Sequence, residues 1–74
     1  MDYKLSEIVL FHRKSSGLTR EQLADLAGIG KTVIFDIEKG KETIRFSTVQ
    51  KVLKVLNVKI TFSGPLMGVL NEKS

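Results

Sequence analysis

Apolar residues recur at every third or fourth position through most of the chain, which is the spacing of helices that bury one face. The spacing predicts a first helix over 5–15, a second opened by Thr19, a third over about 31–39 and a fourth over about 45–56. Beyond the fourth helix the period shortens to two, which predicts a strand over 58–62. The pattern therefore predicts a mostly α fold with one short C-terminal strand.

The turn between the second and third helices has clear local signals. Thr19 and Gln22 stand at the spacing of a capping box, and Gly28 suits the C-cap of the same helix. Only Ile29 and Gly30 then separate this helix from the third. The two helices are therefore expected to cross steeply.

The core-facing side of the later helices follows from the same spacing. It is predicted to comprise Leu23, Leu26 and Ala27 in the second helix, Ile34 and Ile37 in the third, and Val49, Val52, Leu53 and Leu56 in the fourth. Ala24 is a small residue that lets the second and third helices approach. His12 falls on the inner side of the first helix, and we interpret it as a core or boundary histidine.

Composition limits the chemistry that is open to the chain. Its 74 residues include no cysteine and one histidine, so we expect no disulfide, no metal site and no cofactor. No nucleophile, base and orienting group occur together in motif spacing, so we expect no enzyme. No apolar run reaches the length of a membrane span, which favours a cytoplasmic protein.

A net charge of +4 and one segment of the chain favour a nucleic acid as partner. The segment reads LTREQLADLAGIGKTVIFDIEKGK and has the layout of a helix-turn-helix, whose second helix enters the major groove of DNA. With a following helix that ends in KVLKVLNV, it resembles the Cro/CI-type (XRE) family of DNA-binding repressors over about residues 5–58. The resemblance implies a four- to five-helix, lambda-repressor-like domain over 1–62, followed by a flexible tail over 63–74.

The resemblance assigns base contacts to the outward stripe of the third helix. Lys31 has donors for guanine O6 and N7, Thr32 suits a base edge or a thymine methyl, and Asp36 suits cytosine N4. Phe35 lies on the same stripe, where the family usually has a polar residue. Three roles stay open for it: contact with a thymine methyl, a place in the core, or a subunit contact.

The resemblance also implies phosphate contacts and one structural ion pair. The phosphate-binding candidates, at the start of the second helix and after the third, are Thr19, Arg20, Lys39, Lys41 and Arg45. Arg13 and Glu38 occupy positions at which the family has a partly buried salt bridge between the first and third helices. Gly30 replaces the family's usual Ser or Thr cap, a change worth only a few tenths of a kcal/mol.

The predicted strand needs a partner, because a lone strand leaves its backbone amides and carbonyls unpaired. The simplest partner is the same strand of a second copy, with Val58, Ile60 and Phe62 buried in a homodimer. Such a dimer reads a palindromic operator in double-stranded DNA, with half-sites ~34 Å apart.

The order of elements also resembles that of HipB-type antitoxins, which pair with HipA-type kinase toxins and repress their own operon. This match rests on layout, with LNVKITF following the last helix. We therefore expect a sequence-specific transcriptional repressor, with the antitoxin of a type II toxin–antitoxin pair as the leading hypothesis. Two alternatives stay open: a phage-type or other stand-alone regulator, and a protein-interaction module that does not bind DNA.

Overall fold

The structure, a computed structural model, describes residues 3–66 and contains four α-helices in that part of the chain. They are α1 (Leu5–Ser15), α2 (Arg20–Ala27), α3 (Lys31–Glu38) and α4 (Phe46–Val55). Each predicted helix is present close to its predicted bounds, so the mostly α fold is confirmed. None of these helices has the length and apolar character that crossing a membrane requires.

The core lies where α3 packs against α1 and α2 and where α4 packs against α2. Its side chains are mostly branched aliphatic, and removing each from water stabilises the fold by about 1.5 to 3 kcal/mol. The buried apolar residues are Val9, Leu23, Ala24, Ile34, Ile37, Val49, Val52, Leu53 and Leu56. All positions predicted to face inward on α3 and α4 are among them.

The prediction for Leu26 is wrong, because its side chain is 63 % exposed. The inward side of α2 consists of Leu23 and Ala24, with Ala27 half-buried beside them. Successive residues advance by about 100° around a helix, so Leu26 lies on nearly the opposite side from Ala24. The three-residue spacing between Leu23 and Leu26 suggested a shared inward face. Because Ala24 is also buried, the inward face of α2 lies on the side of Leu23 that is away from Leu26.

All four helices end in the same backbone arrangement, in which a left-handed residue closes the last turn. The left-handed residues are Gly17, Gly28, Gly40 and Asn57. After α2, Gly28 N–H donates to Asp25 O at 3.2 Å and Ile29 N–H donates to Ala24 O at 3.0 Å. This Schellman motif satisfies carbonyls that a helix end otherwise leaves unpaired. The chain therefore leaves α2 in a fixed direction and begins α3 two residues later.

The segment that follows α4 has no regular secondary structure up to residue 66. Val58 packs against the core, whereas Ile60 and Phe62 are 38 % and 69 % exposed. The predicted strand over 58–62 is therefore absent from the single chain. A strand forms only beside a paired neighbour, and the predicted neighbour belongs to a second copy, so pairing across a dimer stays a prediction. Most of the predicted tail, 67–74, lies outside the described residues.

Candidate nucleic-acid interface

The outward face of α3 carries all four residues that the sequence assigns to base contact. Lys31, Thr32 and Phe35 are exposed, and Asp36 is half-buried. The opposite face of the helix is buried in the core. The structure therefore brings these four side chains together on one stripe, held by a helix that is anchored from behind.

The start of α2 is fixed by a complete capping box, as predicted. Gln22 N–H donates to Thr19 Oγ1 at 3.0 Å, and Thr19 N–H donates to Gln22 Oε1 at 2.9 Å. The Thr19 hydroxyl is the acceptor in this arrangement and keeps its own proton for another acceptor. Thr19 and Arg20 thus lie at the end of α2 where the helix dipole favours an anion.

Glu38, the last residue of α3, binds two arginines from different helices. Arg13 in α1 donates its Nε to Glu38 Oε2 at 2.6 Å and its Nη2 to Oε1 at 3.1 Å. Arg13 Nη1 also donates to the carbonyl oxygen of Leu18 at 2.8 Å. Arg20 donates its Nε to Glu38 Oε1 at 2.9 Å. The pair of Arg13 and Glu38 is the salt bridge that the family resemblance implied. The second ion pair, between Arg20 and Glu38, was not predicted from the sequence.

The two arginines keep the Glu38 carboxyl group charged although its side chain is only 3 % exposed. Burial by itself raises the pKa of a carboxyl group. The hydrogen bonds and positive charges of Arg13 and Arg20 outweigh that effect, so the pKa of Glu38 is lowered from its ordinary value of 4.5. Within residues 3–66 no buried side-chain nitrogen or oxygen lacks a hydrogen-bond partner. One carboxylate thereby joins α1, α2 and α3.

Phe35 contacts two positive charges on the protein surface. Its ring centroid lies 5.4 Å from Cζ of Arg20 and 4.8 Å from Nζ of Lys39. Both distances are in the range of cation–π attraction. Because Phe35 is 40 % exposed, a place in the core is excluded for it in the single chain, and two of its three roles stay open.

The cations beyond α3 occupy different positions. Lys39 is the C-cap residue of α3, and Arg45 is the exposed N-cap residue of α4. Lys41 lies between them in the chain, with its Nζ 3.5 Å from Asp36 Oδ2. A residue predicted to contact bases is therefore paired, in the free protein, with one predicted to contact phosphate.

The histidine of α1 is engaged within its own helix. His12 is half-buried, its Nδ1 lies at hydrogen-bond distance, 2.7 Å, from Ile8 O, and its ring meets that of Phe11 edge-on at 5.4 Å between centroids. This is the environment expected of a boundary histidine. In the described part of the chain, no three His, Cys, Asp or Glu side chains are arranged to hold a metal ion.

An apolar groove runs between α1, α4 and the segment after α4. Its lining includes Tyr3, Leu5, Ile8, Ile44, Phe46, Val49, Leu53, Val58 and Ile60. Tyr3 and Phe46 are 64 % and 54 % exposed, so the groove has large apolar side chains open to solvent. Two of the residues predicted to form a dimer, Val58 and Ile60, therefore border this groove, whereas Phe62 does not line it.

Comparison with known proteins gives the class of this fold. Residues 12–63 match the helix-turn-helix family over most of the chain. The chain belongs to that family. This helix-turn-helix protein is 32 % identical over 75 residues to control protein C.SmaI of Serratia marcescens, a similarity that covers 99 % of the chain and 89 % of that protein.

Two further relatives are named as regulators. The transcriptional regulator y4mF of Sinorhizobium fredii, whose name calls it uncharacterized, is 34 % identical over 61 residues, covering 82 % of this chain and 80 % of that protein. The transcriptional regulator PuuR of Escherichia coli is 38 % identical over 64 residues; 84 % of this chain but only 32 % of PuuR is covered. The chain thus corresponds to about a third of PuuR.

The helix-turn-helix protein is therefore an XRE-type DNA-binding transcriptional regulator and not an enzyme, as the sequence predicted. Its α2 and α3 are the two helices of the motif. The roles of individual residues in contacting bases, phosphates or a second copy of the chain stay predictions.

Proposed function

We propose that this protein is a dimeric, sequence-specific repressor whose α3 lies in the major groove of a palindromic operator. The observation that carries the proposal is the exposed stripe on α3, opposite a face that is buried in the core. A helix held in this way presents its side chains to base edges at fixed spacing. Lys31 then donates to guanine, Thr32 contacts a base edge or a thymine methyl, and Asp36 accepts from cytosine.

Phosphates beside the groove are bound by the start of α2 and by the cations after α3. Thr19 has a hydroxyl proton to donate, and the terminal nitrogens of Arg20 form no hydrogen bond within residues 3–66. Lys39, Lys41 and Arg45 add exposed positive charge. Such contacts fix the register of the protein on DNA and supply affinity without reading its sequence.

The dimer is proposed to form through the segment that follows α4. Ile60 and Phe62 are exposed apolar residues in an alternating pattern, and Ile60 borders the groove beside Phe46. Antiparallel pairing of two 58–62 segments satisfies backbone groups that a lone segment leaves to solvent, and it covers these side chains. Two copies of α3 then face major grooves ~34 Å apart, which is the reason for a palindromic operator.

Two kinds of repressor fit these features. The similarity to a control protein and to transcriptional regulators supports a stand-alone regulator, and it spans 99 % of the chain for the control protein. The alternating segment after α4 supports the antitoxin of a HipA/HipB-like pair, which binds a kinase toxin and represses its own operon. We favour the stand-alone regulator, because the antitoxin hypothesis rests on one segment. A HipA-like kinase encoded beside the gene that binds the purified protein tightly would reverse this order.

The first test is a salt titration of affinity for DNA from just upstream of the gene, beside a shuffled fragment of equal length. We expect a preference for the native fragment of about a thousandfold and a steep salt dependence. Arg45→Ala is expected to lower the salt slope by about one, whereas Lys51→Ala, on the exposed side of α4, leaves it unchanged. Equal, weak binding of the wild type to both fragments would instead support a protein-interaction module.

Base reading is tested separately with Thr32→Ala. The variant should bind the operator less tightly by roughly 1 to 3 kcal/mol and lose preference at one position of each half-site. Its affinity for shuffled DNA should not change. A loss of equal size on both fragments would reject Thr32 as a base-reading residue.

A further inference from the structure

A series of contacts leads from the buried carboxylate of α3 to the protein surface. Glu38 Oε1 accepts from Arg20 Nε at 2.9 Å, and the same guanidinium lies 5.4 Å from the ring centroid of Phe35. The ring in turn lies 4.8 Å from the ammonium group of Lys39. Each contact limits the conformations of the next side chain, so two surface cations share one aromatic support.

We infer that Phe35 is a positioning residue that holds Arg20 and Lys39 in place for DNA phosphates before DNA arrives. This inference rests on the proposed function and gives Phe35 a part other than base reading. Arginine and lysine have long side chains that lose much conformational freedom when they bind. A side chain that is already restricted loses less, so its contribution to affinity is larger.

The aromatic ring restricts these cations without cancelling their charge. The contrast is with Lys41, whose positive charge is partly offset by the nearby carboxylate of Asp36. Arg20 does bind a carboxylate, but that carboxylate is shared with Arg13, so two arginines on one glutamate leave a net charge of +1. The surface beside Phe35 therefore stays positive, as binding of phosphate requires.

The same geometry weighs against base reading by Phe35. A ring that contacts two cations has less free apolar surface to offer a thymine methyl. Both cations are also attracted to phosphate, which draws the assembly toward the DNA backbone rather than toward base edges. Contact with phosphate is independent of sequence, so the effect of Phe35 should appear on every DNA fragment.

The decisive comparison uses Phe35→Leu and Phe35→Tyr, measured on the native and shuffled fragments. Leucine keeps an apolar side chain but removes the aromatic face, and it should weaken binding to both fragments by the same factor, about tenfold. Tyrosine keeps the ring and should retain wild-type affinity on both. A loss on the native fragment alone would assign Phe35 to base reading and overturn the inference, as would wild-type affinity of Phe35→Leu.

A double-mutant cycle with Lys39→Gln shows whether Phe35 acts through that cation. Lys39→Gln should weaken binding several-fold in the wild type and less in the Phe35→Leu background, because the lysine is no longer held there. Lys51→Gln removes the same charge from α4 and should have equally little effect in both backgrounds. Equal losses for Lys39→Gln in the two backgrounds would contradict the inference.

One readout needs no DNA and separates positioning from general stability. In nuclear magnetic resonance spectra, the side-chain methylene signals of Lys39 should be displaced by the ring and should return to ordinary positions in Phe35→Leu. Phe35→Met serves the same comparison if the leucine variant does not fold. A wild-type protein that binds neither fragment with preference would defeat the proposed function, whereas undisplaced Lys39 signals would defeat only the inference.

Discussion

Asp36 Oδ2 lies 3.5 Å from Lys41 Nζ, so the end of α3 is joined to the loop that follows it by an ion pair. The two side chains are 29 % and 54 % exposed, and a pair of this kind stabilises the fold by at most about 1 kcal/mol. Its greater effect is on charge, because the carboxylate of Asp36 partly offsets the positive charge of Lys41 where DNA is proposed to bind. On the proposed binding mode, DNA would exchange one partner for another at both residues.

Asp36→Asn is expected to raise affinity for DNA of any sequence. The change removes a negative charge from the binding face and releases Lys41, which should strengthen binding to shuffled DNA by about threefold. Preference at one base pair should fall at the same time, because the amide group offers a donor as well as an acceptor to the base edge. Fluorescence anisotropy with native and shuffled fragments measures both effects.

Asp25→Asn is the matched control for that variant. It removes the same charge from an exposed position of α2. If both variants strengthen binding to shuffled DNA equally, the effect comes from net charge alone. The ion pair of Asp36 and Lys41 would then make no contribution of its own to DNA affinity.

Glu38→Gln is expected to destabilise the fold by about 3 kcal/mol or more, because it leaves the buried guanidinium of Arg13 without its counter-charge. Urea unfolding at pH 7 measures the loss. Glu42→Gln removes the same charge from an exposed position and should leave the free energy of unfolding nearly unchanged. Similar losses for both variants would mean that the cluster of Arg13, Arg20 and Glu38 contributes no special stability.

The same cluster predicts a pH dependence of stability. The pKa of Glu38 is lowered in the folded protein, so the unfolded chain takes up a proton at this residue more readily than the folded one. The stabilisation is complete above about pH 5 and is lost as pH falls through 4.5 toward the lower folded value. The difference in unfolding free energy between wild type and Glu38→Gln should therefore shrink on acidification, and a constant difference would contradict this account.

Gly30→Ser is expected to stabilise the fold by about 0.5 to 1 kcal/mol, of which a few tenths come from the cap and the rest from the lower conformational entropy of the unfolded chain. Gly30 has an extended backbone, with φ −77° and ψ 148°, and space for a side chain, and serine supplies the cap that α3 lacks. Gly28→Ser is the contrasting variant, because its φ of 70° is left-handed and the same substitution should cost about 1 to 2 kcal/mol. Chemical denaturation of both proteins checks the opposite signs, and destabilisation by Gly30→Ser would count against the capping argument.

Phe62→Lys is expected to weaken the proposed dimer. A charge at an apolar position of the paired segments opposes their burial, so sedimentation should show more monomer and half-sites should be bound independently. Ser63→Lys adds the same charge at a neighbouring exposed position that does not line the groove, and it should have the smaller effect. A monomeric wild type at concentrations that saturate the operator would contradict dimerisation through this segment.

The helices and the capping box could be predicted because they depend on residues close in sequence. Thr19 and Gln22 are one helical turn apart, so their mutual hydrogen bonds follow from spacing alone. Arg13 in α1 and Glu38 in α3 are separated in the chain by the whole of α2. Their salt bridge could be predicted only from the resemblance to the family. Nothing in the local pattern marks it.

The contacts of Arg20 and Phe35 could not be predicted in the same way. Arg20 and Glu38 are 18 residues apart, and their meeting depends on how steeply α2 and α3 cross. The helical position of Phe35 places it on the outward stripe of α3. Its contact with Arg20 also depends on how far the arginine side chain extends from α2, which the sequence does not give. The prediction for Leu26 was wrong for a related reason. In a helix of eight residues, few apolar positions are available to define which face is buried.

α3 is anchored by Ile34, Ile37 and Glu38, none of which belongs to its exposed stripe. Folding and the proposed reading of DNA therefore depend on different positions of one eight-residue helix. On the proposed function, exchanges at 31, 32 and 36 should leave the scaffold intact, so that related proteins diverge in the operators they choose while keeping a common architecture. A library randomised at those positions should accordingly contain many folded members with new preferences, which makes the helix a ready starting point for reprogramming.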